Sequence, residues 1–130
     1  MKLLGIDTTT SFLCAGLYDG EKVYEYNIHV GNKLSSLLIP TLKRIIDMLN
    51  WKLADIDYLI CGVGPGSFTG IRTGLAAVKG MSLVLDKPVV GISSLDILAM
   101  SANVENQYII PILDARRNMV YLSIYNKKSG

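Results

Sequence analysis

The sequence predicts an α/β domain built on a mixed, five-stranded type of sheet, with the element order βββαβαβα and a closing ββ hairpin. Three observations carry that prediction. The chain opens with short apolar or alternating runs separated by turn signals, then shows long stretches with apolar residues at helical spacing, and places short apolar runs between those stretches. Helices that return between strands imply parallel neighbours, and therefore a sheet of mixed direction with helices on both faces.

Residues 2–7 form a short apolar strand that ends at Asp7, and Thr8-Thr9-Thr10-Ser11 is turn-forming. Residues 12–18 form a second strand, and Asp19-Gly20 is the hairpin signal leading into residues 22–29. In that third strand Val23, Glu25 and Asn27 face away from Tyr24, Tyr26 and Ile28, as on a half-exposed strand. Leu34, Leu37, Leu38, Leu42, Ile45, Ile46 and Leu49 then recur at three- and four-residue steps and predict a helix. Asn32 is its expected N-cap, and Pro40 predicts a kink or a late start. Residues 58–63 form a buried strand that runs into Gly64-Pro65-Gly66-Ser67-Phe68-Thr69-Gly70. A helix follows from about residue 71 to 85, stopped by Lys87-Pro88, then a strand over 89–92. Ser93 or Ser94 caps a third helix reaching about residue 102, and strands over 108–113 and 119–125 close as a hairpin.

Half of the 130 residues are hydrophobic, 18% are charged and the net charge is +2. This excludes a disordered chain or an acidic solvating tail, and gives no support to a basic nucleic-acid sleeve. No apolar run reaches the roughly 18 residues of a membrane helix, and no signal-peptide core precedes Asp7, so a cytoplasmic protein with no membrane partner is expected. Cys14 and Cys61 lie in apolar segments and read as buried thiols of a reducing compartment. The single His29 has no zinc-ligand cluster around it and is a poor candidate base for Ser11, Ser67, Ser93 or Ser94.

Three segments are candidates for chemistry. Asp7, Thr8, Thr9 and Thr10 at the first turn suit a phosphate loop, where amides and hydroxyls hold an anion and the Asp faces a metal or water. The same residues also satisfy a tight turn by themselves. The glycine loop, Gly64, Pro65, Gly66, Ser67, Phe68 and Thr69, brings backbone close to a ligand or another segment at a helix N-terminus, without the spacing of a Walker loop or a dinucleotide fingerprint. Gly70, Gly74 and Ala77 form a small-residue stripe on the second helix, beside Arg72 and Thr73. Glycine costs a helix interior about 1 kcal/mol, so the stripe suggests close approach of another helix from this chain or a partner. Asp7, Asp96 and Asp114 each end a strand or open a helix, where they gather at one cleft or simply cap.

These motifs, with Lys87-Pro88-Val89-Val90-Gly91-Ile92-Ser93-Ser94-Leu95 and Leu113-Asp114-Ala115-Arg116, resemble the TsaB (YeaZ) family, in order and along essentially the whole chain. The resemblance implies an actin-like ATPase (ribonuclease H-like) fold, with residues 1–130 as a single N-terminal lobe and the second lobe of the family absent. It implies a non-catalytic scaffold in forming threonylcarbamoyladenosine beside the tRNA anticodon, working with the transferase TsaD and a TsaE-like ATPase. The older label of the family is glycoprotease-like, a peptidase M22 homologue. Where the catalytic paralogue has two metal-binding histidines four residues apart, the nearest positions here are Ser94 and Leu98, and neither ligates iron or zinc. No cofactor is therefore expected, with ATP or ADP bound only in a complex with partners. No direct tRNA contact is expected at this net charge. A homodimer is expected through the two long helices, at Leu34, Leu37, Leu38, Leu42, Ile45, Gly70, Arg72, Thr73, Gly74 and Ala77. The competing readings are an actin-like or sugar-kinase-like nucleotide-binding enzyme and a glycoprotease-type peptidase.

Overall fold

The computed structural model describes residues 1–105 and 108–126. Strands β1 (Leu3–Asp7), β2 (Phe12–Tyr18) and β3 (Val23–His29) form an antiparallel meander, and β4 (Tyr58–Gly62) and β5 (Val89–Ile92) extend it in parallel. The sheet order is β3-β2-β1-β4-β5. β1 is thus central, bonded to β2 on one side and to β4 on the other, and its C-terminal end is the point where the elements converge.

Alternation along the strands sends Leu4, Ile6, Leu13, Ala15, Leu17, Leu59 and Cys61 into the core. Helices α1 (Leu34–Met48) and α2 (Phe68–Leu85) both cover this face, α1 through Leu34, Leu38, Leu42, Ile45 and Ile46, and α2 through Val78. The two long helices share this face and touch each other, packed side by side as their apolar spacing leads one to expect. The opposite row, including Leu3, Gly5, Asp7, Cys14 and Gly16, is only half-buried. Helix α3 (Ser94–Ser101) leaves β5 at the end where β1 terminates.

Several boundaries move for local reasons. α1 begins at Leu34, after a 3-10 turn over Gly31–Lys33, so Lys33 and not Asn32 is its N-cap. It runs through Pro40, whose side chain is on the exposed side. α2 starts at Phe68, earlier than expected, because Ser67 caps it: the Ser67 Oγ accepts from the Gly70 N–H at 3.2 Å. The closing hairpin is split into β6 (Tyr108–Ile109), β7 (Ile112–Arg116), β8 (Met119–Leu122) and β9 (Tyr125–Asn126). One register runs through both pairs, from Tyr108 opposite Asn126 to Asp114 opposite Val120, and the break falls at Pro111, which has no N–H to donate. This hairpin stands apart from the five-stranded sheet.

The expected interface stripe turns inward. Gly70 and Gly74 are buried, and a Cβ on either would strike Thr8, at its carbonyl oxygen for Gly70 and its Oγ1 for Gly74. Leu34, Leu38, Leu42 and Ile45 are core residues, Leu37 packs against that core, and Thr73 and Ala77 are half-buried. Of the ten, Arg72 alone is exposed. Gly80, one turn and a half further on, has open space where its Cβ would be. The two helical glycines should therefore respond oppositely to alanine. Gly80→Ala should raise stability by about 0.5–1 kcal/mol through helix propensity. Gly74→Ala should lower it by roughly 1–3 kcal/mol through overpacking, with urea unfolding as the measurement for both.

Candidate functional site

The turn after β1 is held by hydrogen bonds from three directions. Within it, the Asp7 carboxylate accepts from both the Thr9 N–H and the Thr9 hydroxyl, each at 2.7 Å. From the glycine loop, the Ser67 N–H donates to the Thr9 carbonyl at 2.7 Å, while the Thr8 hydroxyl donates to the Gly70 carbonyl at 2.7 Å. From α3, the Ser94 hydroxyl donates to the Thr9 Oγ1 at 2.9 Å and the Ser94 N–H to the Gly64 carbonyl at 2.9 Å. Thr8, Thr9 and Ser94 are all buried, and each polar side chain has a partner.

Glycines make this approach geometrically possible. A Cβ at Gly66 would lie 2.8 Å from the Thr9 Cβ, and one at Gly62 would lie 2.7 Å from the Asp7 carboxyl carbon. Gly64 has φ +93°, a conformation that favours glycine, and it precedes a cis Gly64-Pro65 bond. The loop's glycines thus serve packing against the first turn. The Thr8 and Thr9 hydroxyls and the Thr9 amide, expected as phosphate donors, are engaged within the protein. Thr10 is exposed, and its Oγ1 accepts from the Phe12 N–H at 3.1 Å.

A cleft of about 650 Å³ opens on the outer side of this turn. Thr9, Thr10, Ser11, Gly31 and Asn32 form one wall, residues 65–69 a second, and residues 113–116 with Tyr121 the third. Motifs from three distant parts of the sequence therefore meet. Asp114 of the hairpin wall is one of the three aspartates expected either to gather at a cleft or simply to cap, whereas Arg116 and Tyr121 of the same wall carry no such expectation. Asp114 accepts from the Arg116 N–H at 2.7 Å, and Arg116, Arg117 and Asn118 all have positive φ, from 52° to 62°. Of the three aspartates that were candidates to gather, only Asp114 lines the cleft; Asp7 closes the first turn, and Asp96 accepts from the Tyr125 hydroxyl.

His29 packs edge-on against Phe12, with ring centroids 5.1 Å apart. Ser94 is locked to Thr9, and Leu98 is exposed on α3. Among the described residues there is no cluster of three or more His, Cys, Asp or Glu side chains placed to hold a metal. Cys14 and Cys61 are free thiols, both pushed above the usual thiol range by burial and, secondarily, by the nearby Asp7 carboxylate. No helix among the described residues is long and apolar enough to cross a membrane.

Residues 29–129 match the family model described as TsaD, tRNA N6-adenosine threonylcarbamoyltransferase. The chain is 32% identical over 131 residues to the tRNA threonylcarbamoyladenosine biosynthesis protein TsaB of Bacillus subtilis, covering 100% of this chain and 57% of that protein. The chain belongs to this family, in its TsaB (YeaZ) branch. The Escherichia coli TsaB protein is 30% identical over 129 residues, covering 98% of this chain and 56% of that one. The structure of YeaZ from Pseudomonas aeruginosa superposes with a TM-score of 0.90 at 29% identity, over 96% of this chain and 60% of that chain. The fold is accordingly of the actin-like, ribonuclease H-like class. The chain spans just over half the length of the relatives it matches.

The hydroxyl chain from Ser94 through Thr9 to Asp7 predicts a specific cost of interruption. Thr9→Val keeps the shape but removes the donor to Asp7 and the acceptor for Ser94. It should destabilise the fold by about 1–3 kcal/mol, the range for leaving buried polar groups unsatisfied, as read from the shift in a urea unfolding midpoint.

Proposed function

We propose that this chain acts as a TsaB-type, non-catalytic partner of TsaD in the formation of threonylcarbamoyladenosine on tRNA, in the cytoplasm. The observation that carries the reading is at the start of α3. The family resemblance puts a metal-binding histidine pair of the transferase at positions that here hold Ser94 and Leu98, and the Ser94 hydroxyl is already engaged by Thr9. A chain that keeps the fold and the glycine loop, yet fills those positions with a buried serine and an exposed leucine, fits a scaffold better than a transferase or a metallopeptidase. Any nucleotide belongs, on this reading, to the assembled complex with TsaD and a TsaE-like ATPase.

Assembly through the long helices remains part of the proposal, on a different set of side chains. The α1–α2 surface carries an apolar groove lined by Ile39, Leu53, Ala76, Gly80, Met81 and Val84. Val84 and its neighbour Leu83 are each 85% exposed. These exposed apolar side chains beside the groove support a helical face used for a homodimer and, in competition, for TsaD.

The test is co-purification with TsaD, paired with size-exclusion chromatography of the chain alone. The wild-type chain should form a dimer that TsaD displaces. Gly80→Glu should keep native circular dichroism while losing both complexes. Threonylcarbamoyl transfer by the chain without TsaD, or undisturbed complexes of a folded Gly80→Glu chain, would contradict this function.

A further inference from the structure

The glycine-loop cleft has a feature that packing does not explain. α2 buries Gly70, Gly74 and Val78, but its first residue, Phe68, projects with 73% of its surface exposed, the most exposed aromatic side chain among the described residues. The Arg72 guanidinium lies over this ring, 5.2 Å from its centroid. Across the cleft, Tyr121 is 44% exposed, and Arg116 stands in the same wall with Arg117 next to it at the hairpin tip. Among the described residues the ion pairs are Lys2–Asp55 and Lys43–Asp47, so Arg72, Arg116 and Arg117 all lack a carboxylate partner. Among the described residues the one acid lining the cleft, Asp114, accepts from the Arg116 backbone N–H. The remaining lining is rich in hydroxyl and amide groups, at Thr10, Ser11, Asn32, Ser67 and Thr69.

Water-exposed aromatic rings beside unpaired arginines and neutral hydrogen-bonding groups match the chemistry of an unpaired nucleic-acid strand. Bases stack on the rings, guanidinium groups meet phosphates, and hydroxyls and amides meet sugars and base edges. We propose that this cleft receives a single strand of RNA, with Phe68 and Tyr121 as the stacking surfaces and Arg72, Arg116 and Arg117 as the phosphate contacts. The choice of RNA rests on the tRNA-modification reading above. The net charge of +2 is an average over the whole chain; in the cleft lining Arg116 and Asp114 balance, and Arg72, over the Phe68 ring, and Arg117, beside Arg116, supply the cationic excess at its rim.

The test is fluorescence anisotropy of a labelled ten-nucleotide single-stranded RNA, with the same sequence as a duplex, titrated with the 130-residue chain. The single strand should bind in preference to the duplex. Phe68→Ala should weaken binding roughly tenfold or more, and Phe68→Trp should restore it. Arg116→Gln with Arg117→Gln should weaken binding and flatten its dependence on log salt by about 0.7 per lost phosphate contact. Lys22→Gln, at the far end of the sheet, should bind like wild type. If Phe68→Ala does not fold, the arginine pair and the salt slope decide the matter. Absence of binding, equal binding to duplex, or unchanged binding by the folded variants would overturn the proposal. So would loss of TsaD capture by Phe68→Ala with RNA binding intact, which would make the cleft a protein surface. Because RNA binding is measured directly, it can fail while TsaD capture succeeds, or succeed while capture fails, and the two readings are judged separately.

Discussion

The structure depends on how closely one turn, Asp7-Thr8-Thr9, is allowed to sit against the start of α2. Thr8 lies where side chains of positions 70 and 74 would otherwise be, and Thr9 lies where that of position 66 would be. With the glycines making room, the turn exchanges hydrogen bonds with the loop at Ser67 and Gly70 and with α3 at Ser94. The end of the central strand, the loop after β4 and the N-termini of two helices are joined in this way. Each helical glycine sacrifices about 1 kcal/mol of propensity, and that loss is offset by buried hydrogen bonds that no bulkier residue would permit.

The same arrangement sorts the surface. Since the inward glycines serve the turn, the long helices present a different face to solvent, built around Gly80, Ile39 and Val84. Since the hydroxyls of Thr8 and Thr9 are occupied, the polar groups available to a ligand lie outside the turn, at Thr10, Ser11 and the first residues of α2. The candidate site is therefore displaced from the turn to the cleft between the loop and the hairpin.

Much of the fold was legible in the sequence because strand alternation and helical periodicity are strong over these lengths. The meander of three strands, the two long helices and the short β5 all follow from where apolar residues recur. Ser67 shows the limit: it reads as part of a loop, yet its hydroxyl starts α2 three residues before the apolar pattern does. The glycine stripe was equally visible, but spacing says only that something approaches closely, and the approaching group is a turn more than sixty residues away in sequence. Most of the hairpin wall is hidden for a similar reason: Asp114 is a cleft candidate from sequence, but Arg116 and Tyr121 acquire a site only when tertiary structure carries them to the glycine loop. The family, by contrast, was readable from the glycine loop and its companion motifs, because close packing constrains those residues one by one.

The central claim is that Thr8 is what position 74 must accommodate. A double-mutant cycle measures this directly, with unfolding free energies of wild type, Thr8→Ala, Gly74→Ala and the double variant. Thr8→Ala removes the hydroxyl that a side chain at position 74 would meet. The penalty of Gly74→Ala should then largely disappear in the Thr8→Ala background, giving a coupling energy of about 1–3 kcal/mol. Additive effects, with Gly74→Ala equally destabilising in both backgrounds, would contradict the account.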